Sequence, residues 1–232
     1  MRISKTSIYF NDYNSFYDLD LTIVDMENIP LANETVEITN GYTIKTGEYD
    51  PIELPITFRT KKANNIIDNL NDVIDWLTNI KDNKLVFSFM TDKYYIVKNI
   101  KVENISRVYN RYNTITSMFI LEPFKYENNE TAIILNNNSS IYYHGTVQGE
   151  CNIKIYGNGN IQLTINSETV QINNVNEYVE LDSKFLLCLN SDKTSKTKDM
   201  IGNFPILDKG KNKISWTGNI SKIEILPRTA YK

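Results

Sequence analysis

The residues that could do chemistry in this chain are few, and His144 limits them most. It is the single histidine among 232 residues, so a metal site built from several histidines is excluded within one chain. A Ser-His-Asp or Cys-His arrangement would have to use this residue. No nucleophile with a recognisable local motif accompanies it. We therefore interpret His144 as a structural or surface residue.

The two cysteines, Cys151 and Cys188, are too few for a disulfide scaffold. They also lack the close spacing of a zinc knuckle or a redox pair. We predict that both are reduced and serve as small buried apolar residues. The sequence thus predicts no metal site and no cofactor.

The carboxylate residues of the chain do not exclude a glycosidase activity. Asp20, Glu180 and Asp182 could supply an acid and a base, but their separation in space cannot be read from the sequence. Nothing selects a pair among them. An enzyme is therefore the least favoured class of function.

Three aromatic residues in the second half are candidates for binding a sugar ring by stacking. They are Trp216, Tyr142 and Tyr156. A tryptophan on an alternating strand is more often part of a core, so exposure of these rings is the deciding property. Sugar binding by these residues would make the chain a carbohydrate-binding module that recognises a bacterial cell-wall polymer. This is the alternative to the structural function derived below.

The overall composition describes a folded protein without a strong electrostatic preference. The hydrophobic fraction is 41%, the aromatic fraction 11% and the formal net charge −3, which offers no positive field to attract nucleic acid. The first residues contain no apolar signal segment, and no run of apolar residues is long enough to span a membrane. We expect a protein that folds in a cytoplasm.

The first half of the chain predicts strands around one helix. Apolar residues recur at three-to-four spacing from about Asn65 to Leu77, which predicts a core helix that Asn65 could cap. The aspartates at helical spacing on this segment could in principle hold a metal, but a solvated face is the simpler interpretation: Asp68, Asp72 and Asp75. Runs rich in β-branched and aromatic residues on either side of the helix predict strands.

Residues 28–55 form a long irregular stretch between two predicted strands. Loops of this length in compact domains tend to be arms, lids or binding loops, and Asn40-Gly41 could form the tip of a hairpin. We predict an arm that contacts another subunit, with a mobile surface loop as the alternative. Its candidate residues are Gly41, Tyr42, Tyr49 and Pro51.

The second half predicts only short strands. A change of composition places a first domain at 1–130, a linker at 131–141 and a second domain at 142–232. Alternation around Asn158-Gly159 predicts a hairpin over 151–165, and a second hairpin is predicted over 200–218. Strands at this spacing indicate a sandwich of jelly-roll or lectin-like type.

Several motifs, taken in order, resemble one family: the distal tail proteins of long-tailed phages. In the first half they are Val73-Ile-Asp-Trp-Leu77, Lys84-Leu-Val-Phe87, Tyr94-Tyr95 and Glu122-Pro-Phe-Lys-Tyr126. In the second half they are Gly157-Asn-Gly-Asn-Ile161, Val179-Glu-Leu-Asp-Ser183, Gly202-Asn-Phe-Pro-Ile-Leu207 and Gly210-Lys-Asn-Lys-Ile-Ser-Trp-Thr-Gly218. The resemblance spans nearly the whole chain.

The resemblance implies a mainly β protein with a structural role. It implies an N-terminal β-sandwich or split barrel with one α-helix, similar to a tail-tube protein, and a C-terminal galectin-like β-sandwich. It also implies a homohexameric ring at the virion tail tip, assembled in the bacterial host cytoplasm, with a central channel through which DNA passes in transit. The implied partners are the tail tube protein, the tape-measure protein and the tail-associated or receptor-binding tip proteins, with no membrane insertion.

Overall fold

The chain folds into two compact units, as a computed structural model of residues 6–39, 42–60, 66–108 and 112–232 describes it. The first unit comprises the described residues up to Asn128, together with Lys232, and the second comprises residues 129–231. Each unit has its own cluster of buried hydrophobic side chains. The fold is mainly β, as the sequence predicted.

The first unit is built on one antiparallel sheet, one helix and one separate hairpin. Its elements are β1 (Ile8–Phe10), β2 (Tyr13–Asn14), β3 (Leu21–Met26), β4 (Glu34–Thr39), β5 (Tyr42–Tyr49), β6 (Ile52–Thr60), α1 (Ile66–Thr78), β7 (Lys84–Phe87), β8 (Met90–Val108) and β9 (Tyr112–Glu127). The main sheet has the strand order β2-β1-β7-β8-β9-β6-β3, whereas β4 and β5 pair only with each other among the described strands.

One face of the main sheet forms the core of the first unit. Alternate residues of β6 and β9 are buried there, among them Leu54, Phe58 and Phe119. The apolar stripe of α1 packs on this face through Val73, Trp76 and Leu77. The predicted helix is therefore confirmed, while Asn65, its predicted cap, lies outside the described residues. Asp72 and Asp75 are exposed, as expected for the solvated face.

Asn11 connects the C-terminal end of α1 to the edge of the sheet. Its Nδ2 donates to the carbonyl oxygens of Trp76 and Asn79, both at 2.9 Å. Its Oδ1 accepts from the backbone N–H groups of Lys81 at 2.8 Å and Asp82 at 3.2 Å. A helix end leaves carbonyl groups without partners inside the helix, so one side chain here satisfies several backbone groups at once. Asn11 takes a φ of +49°, which asparagine tolerates better than most residues.

The second unit is a single antiparallel sheet that curls around its own core. The strands of this sheet are β10 (Ile133–Leu135), β11 (Ser139–Tyr143), β12 (Asn152–Ile165), β13 (Glu168–Val175), β14 (Tyr178–Asp182), β15 (Leu187–Asn190), β16 (Met200–Ile201) and β17 (Gly210–Leu226). A short 3₁₀ helix (Thr197–Asp199) precedes β16, and the last strand of the chain, β18 (Ala230–Tyr231), is not part of this sheet. The central strands β12 and β17 pair with each other along most of their length.

The predicted hairpin over 151–165 is wrong. Residues 152–165 form one continuous strand, β12, whose first half pairs with β14 and whose second half pairs with β13. Gly159 does take a positive φ of +80°, but the register shifts around it show that it belongs to an irregularity in the strand. The Asn-Gly pair bends the strand without reversing it, because partners lie alongside it on both sides of the bend.

The predicted hairpin over 200–218 is also wrong. Met200–Ile201 forms β16, which pairs with β13, whereas Gly210 begins β17, which pairs with β10, β11 and β12. The two strands of the predicted hairpin therefore have different partners. The alternating pattern correctly predicted strands in this part of the chain. It did not predict which strands pair with each other.

Glycines allow β12 and β17 to bend together. A Cβ atom on Gly218 would lie 2.6 Å from the carbonyl oxygen of Asn160, and Gly218 takes a φ of +100°. Such a close approach of two backbones excludes a side chain. Because both strands bend, Ile153 and Leu163, from the two halves of β12, reach the same core.

Tyr143 is a large buried side chain in this core. Its hydroxyl oxygen accepts a hydrogen bond from the N–H of Ala230 at 3.0 Å, and burial raises its pKa to about 12. The ring lies against the backbone of Gly149, where a Cβ atom would be 2.7 Å from ring atom Cε2. The absence of a side chain at Gly149 therefore leaves the space that the Tyr143 ring occupies.

Candidate functional site

The predicted arm is a hairpin that stands apart from the main sheet of the first unit. Its strands β4 and β5 pair from Glu34 opposite Tyr49 to Thr39 opposite Tyr42. Asn40 and Gly41, which follow β4 and precede β5 in the sequence, lie outside the described residues. At about 3.3 Å per residue, a strand of this kind extends roughly 20 Å.

The base of this hairpin is attached to the main sheet. The ring of Tyr49 packs edge-on against the ring of Phe124, with centroids 4.9 Å apart. Thr35 Oγ1 donates to Asp50 Oδ1 at 3.2 Å. Pro51 is exposed at the point where the chain enters β6. Of the four candidate arm residues, Tyr49 therefore anchors the hairpin, Tyr42 lies at its far end and Pro51 at its exit.

The hairpin and its surroundings expose groups that favour contact with another chain. Among the described strands, β4 and β5 have no other partner, so each has a free edge that can pair with a further strand. Two apolar side chains near the base are exposed, Leu31 at 70% and Val36 at 48%. Elsewhere in the first unit, Tyr17 and Phe89 are also exposed. Large exposed apolar side chains often mark interaction surfaces.

The three candidate sugar-stacking residues do not form one platform. Tyr142 is 63% exposed and its ring lies 4.8 Å from that of His144. Tyr156 is half-buried, donates to Glu224 Oε2 at 3.1 Å and carries Lys222 Nζ 4.1 Å from its ring centroid. In the pairing of β17, Lys211 lies opposite Tyr142 and Lys222 opposite Tyr156, so eleven residue steps of β17 separate the two tyrosines.

Trp216 lies partly in the core of the second unit and partly at its surface. One part of its side chain packs against the core of the second unit, and another part lines an open groove with a cavity volume of about 470 Å³. The groove is completed by Gly218, Ile220 and the consecutive residues Asn136, Asn137 and Asn138. The sequence indicated the tryptophan but not the asparagines, which looked like part of a linker.

The histidine and the two cysteines are not arranged as a catalytic site. His144 is exposed. Cys151 and Cys188 are free and buried, which confirms the prediction made for them. Burial raises the pKa of Cys151 to about 12 and that of Cys188 to about 11, so neither thiol is a ready nucleophile at neutral pH.

Glu180 and Asp182 form a charged network beside β12. Asp182 makes a bidentate ion pair with Arg228, with both N–O distances 2.6 Å, and Asn152 Nδ2 bridges the two carboxylates at 2.9 and 3.2 Å. Burial opposes ionisation of Asp182, but the guanidinium outweighs it and the pKa of this carboxyl is lowered. The pKa of Glu180 is likewise lowered, because hydrogen bonds from Lys193 and Asn152 outweigh burial. Neither carboxyl has the raised pKa of a glycosidase acid.

The third glycosidase candidate, Asp20, lies in the first unit and takes a φ of +53°. Among the described residues, no group of three His, Cys, Asp or Glu side chains is placed to hold a metal ion. Within the same part of the chain, no helix is long and apolar enough to cross a membrane.

Comparison of the whole fold with solved structures provides the decisive likeness. The crystal structure of the Dit protein (gp 19.1) of SPP1 superposes with a TM-score of 0.67, covering 96% of this chain and 98% of that one at 8% identity. The chain has the fold of a phage distal tail protein. SPP1 Dit is described as a paradigm of the hub adsorption apparatus in phages that infect Gram-positive bacteria. No family model and no curated protein sequence matches the chain.

The distal tail fold confirms the resemblance that the sequence motifs indicated. At 8% identity the likeness concerns the backbone and says little about individual side chains. Two exposed features had no sequence signal. One is the row of three asparagines in the groove, and the other is a turn in the second unit where Phe185 and Leu186 are both 63% exposed.

Proposed function

We propose that this protein is a structural, non-enzymatic component of a phage tail tip. Six copies form a ring that joins the tail tube to the baseplate or tail-tip proteins and leaves a central channel for DNA. Its partners are further copies of itself, the tail tube protein, the tape-measure protein and the receptor-binding tip proteins. The chain folds and assembles in the bacterial host cytoplasm.

The observation that carries this proposal is the extent of the structural likeness. It covers both units and nearly the full length of each chain, so it is more than a match to one common β-sheet motif. A shared fold alone does not give a shared function. Here the absence of raised carboxyl pKa values at Glu180 and Asp182 and the high thiol pKa of Cys151 also favour a structural role.

The hairpin of β4 and β5 supports assembly into a ring. A closed ring requires head-to-tail contacts between two different surfaces of each subunit. An isolated two-stranded hairpin gains little stability by itself, so one that extends from a domain gains most by pairing with or packing on a neighbour. We assign this hairpin, with Tyr42 near its tip and Tyr49 and Pro51 at its base, as the arm between subunits.

Measurement of the mass in solution tests the ring. Light scattering and native mass spectrometry over a range of concentrations should give six times the chain mass of 26.9 kDa, and negative-stain microscopy should show rings with a central hole. A wild-type chain that stays monomeric up to its solubility limit would contradict self-assembly.

A shortened arm tests the hairpin. Replacing residues 36–47 by Asn-Gly joins Thr35 to Glu48 with a two-residue turn, close to the paired residues Glu34 and Tyr49 at the base. This variant should keep the circular dichroism spectrum of a folded protein and lose the ring. An unchanged ring would rule out the hairpin as the arm.

A matched pair of point variants separates the arm from a general effect of added charge. Val36→Lys places a charge on an exposed apolar side chain of the hairpin and should weaken the ring, because the interface would have to bury that charge. Ile134→Lys makes a similar change at a 58% exposed position in β10 of the second unit and should leave the ring intact.

A further inference from the structure

Three exposed lysines lie close together where β17 begins: Lys209, Lys211 and Lys213. Lys211 and Lys213 alternate with the buried residues Asn212 and Ile214. Side chains alternate between the two faces of a strand, so both lysines lie on the face of the sheet opposite the core. Residues two apart along a strand are separated by about 7 Å. Two positive charges are therefore held side by side on one face.

The three lysines differ from other cations of the second unit because they are not neutralised by a carboxylate. Four other cations of this unit form ion pairs: Lys193 with Glu180, Lys196 with Asp199, Lys222 with Glu224, and Arg228 with Asp182. Within the described part of the chain, no carboxylate oxygen lies within 4 Å of the ammonium nitrogen of Lys209, Lys211 or Lys213.

The carboxylate next to these lysines in the sequence, Asp208, is bound by uncharged donors. Its Oδ1 accepts from Gln148 Nε2 at 2.9 Å, and its Oδ2 accepts from Asn166 Nδ2 at 3.1 Å. Both carboxylate oxygens are thus occupied by amide groups. Two like charges on neighbouring positions of one face repel each other, so an anion from solution would relieve this repulsion.

The backbone that carries the lysines is fixed by the buried side chain of Asn212. Its Nδ2 donates to the carbonyl oxygens of Asp208 at 2.7 Å and Gly210 at 3.1 Å, and its Oδ1 accepts from the N–H of Asp208 at 2.9 Å. The N–H of Lys213 donates to Asn166 Oδ1 at 3.0 Å. A ligand would therefore have to order only the lysine side chains, which lowers the entropic cost of binding.

The neighbouring strand β11 adds an exposed ring beside the lysines. Tyr142 pairs with Lys211 and Ser140 pairs with Lys213, and residues that lie opposite each other in an antiparallel pair share a face of the sheet. Tyr142 is 63% exposed. These four residues, Ser140, Tyr142, Lys211 and Lys213, are called the lysine patch below.

We propose that the lysine patch binds a polyol phosphate chain, a polymer in which phosphodiesters alternate with short uncharged polyols. Phosphates joined through a three-carbon polyol are separated by six bonds, as are Cα atoms two residues apart, so both span about 7 Å when extended. Successive phosphates can therefore contact Lys211 and Lys213. The polyol between them can pack against the ring of Tyr142.

A nucleic-acid strand repeats its phosphates over the same number of bonds, so other observations decide between the two polymers. The formal net charge of −3 opposes the approach of a long nucleic acid. The lysine patch holds one aromatic ring, whereas single strands bind on a series of stacking rings. The choice also rests on the proposed function, since a tail tip would meet the surface polymers of a bacterial host.

The test uses the purified full chain and a synthetic oligomer of glycerol phosphate, with binding measured by calorimetry and ligand-observed NMR. We expect a dissociation constant of about 1 mM at low salt. With two or three lysine–phosphate contacts, an increase from about 50 to 200 mM salt should weaken binding roughly tenfold. Uncharged polyglycerol of the same length should not bind.

A matched pair of double variants locates the binding. Lys211→Gln with Lys213→Gln should weaken binding about tenfold or more and remove most of its salt dependence. Lys98→Gln with Lys101→Gln changes two exposed lysines of the first unit and alters the net charge equally, so this control should bind like the wild type. Tyr142→Ala should weaken binding about threefold through the loss of the ring.

Three results would overturn the inference. The oligomer could fail to bind at about 10 mM phosphate and low salt. The two double variants could lose binding equally, which would indicate a general attraction to positive charge. Single-stranded or duplex DNA with the same number of phosphates could bind more tightly, which would assign the lysine patch to nucleic acid.

Light scattering on the same samples separates this inference from the proposed ring. A ring that does not bind the oligomer would overturn only the polymer site. A monomer that binds the oligomer would contradict only self-assembly.

Discussion

Replacement of Asn11 tests how α1 is fixed to the sheet of the first unit. Its side chain makes four hydrogen bonds to backbone groups around the end of the helix. At about 1 kcal/mol for each bond, the upper limit for their loss is roughly 4 kcal/mol. Only the bond to Trp76 is fully buried, so water can replace part of the others. We expect Asn11→Gly to lower the free energy of unfolding by about 2–3 kcal/mol.

Asn11→Ala separates the hydrogen bonds from the backbone conformation. The φ of +49° at this position is tolerated by glycine but disfavours alanine, which should cost about 1 kcal/mol more than glycine. Asn79→Ala is the control. Asn79 contributes its backbone carbonyl to the bond with Asn11 and its side chain is exposed, so this change should stay within about 0.5 kcal/mol of the parent.

Urea unfolding followed by tryptophan fluorescence measures these differences. The chain has two tryptophans, one in each unit, so a Trp216→Phe background leaves Trp76 as a reporter of the first unit alone. This matters because two units need not unfold in a single transition. If Asn11→Gly unfolds within about 0.5 kcal/mol of its parent, the hydrogen bonds do not fix the helix and the reasoning is wrong.

Three further predictions concern single positions. Ser117 Oγ is buried without a hydrogen-bond partner, so Ser117→Ala should raise the free energy of unfolding of the first unit by about 1 kcal/mol in the same assay, and a loss of stability would contradict this. Gly149→Ala places a Cβ atom against the ring of Tyr143 and should lower the melting temperature through a loss of about 2 kcal/mol, whereas an unchanged melting temperature would mean that the ring can move. The lowered pKa of Asp182 means that its pairing with Arg228 stabilises the folded state above the ordinary pKa of 3.8 and that this stabilisation is lost as the pH falls through the folded-state pKa. The difference in unfolding free energy between wild type and Asp182→Asn should therefore shrink as the pH falls below about 4, and a constant difference would contradict it.

The sequence predicted the elements whose signals are local. The stripe that includes Val73 and Leu77 has the period of a helix, and α1 buries that stripe. The alternation from Ile115 to Leu121 has the period of a strand, and β9 buries every second residue there. In both cases the face to be buried can be read from neighbouring residues alone.

Pairing between strands was not predictable in the same way. Asn158-Gly159 carries the signal of a two-residue turn, yet it lies within β12. A turn and a strand irregularity both need a residue with positive φ, so the local sequence is the same for each. The choice depends on the strands that pair with β12 on its two sides, β13, β14 and β17, and not on the residues of the Asn-Gly pair.

The candidate sites also combine residues that the sequence could indicate with residues that only the tertiary structure brings together. Trp216 could be selected by its residue type, but the three asparagines come to lie beside it only through the pairing of β10 and β11 with two separate parts of β17. Likewise, Asn11 lies 65 positions from Trp76 in the sequence. Groups that are brought together only by tertiary structure leave no pattern that a single sequence can reveal.

The long strand β17 also determines when each unit can fold during synthesis. It supplies the partner for β10, β11 and much of β12, and its pairing of Ile225 with Ile133 joins residues more than ninety positions apart. The second unit therefore cannot close until the ribosome has released residues 210–226. The helix and seven strands of the main sheet of the first unit have been synthesised by Glu127, so most of this unit can fold on the nascent chain while the second is still being made. Premature termination before β17 would leave a folded first unit attached to an aggregation-prone tail of unpaired strands.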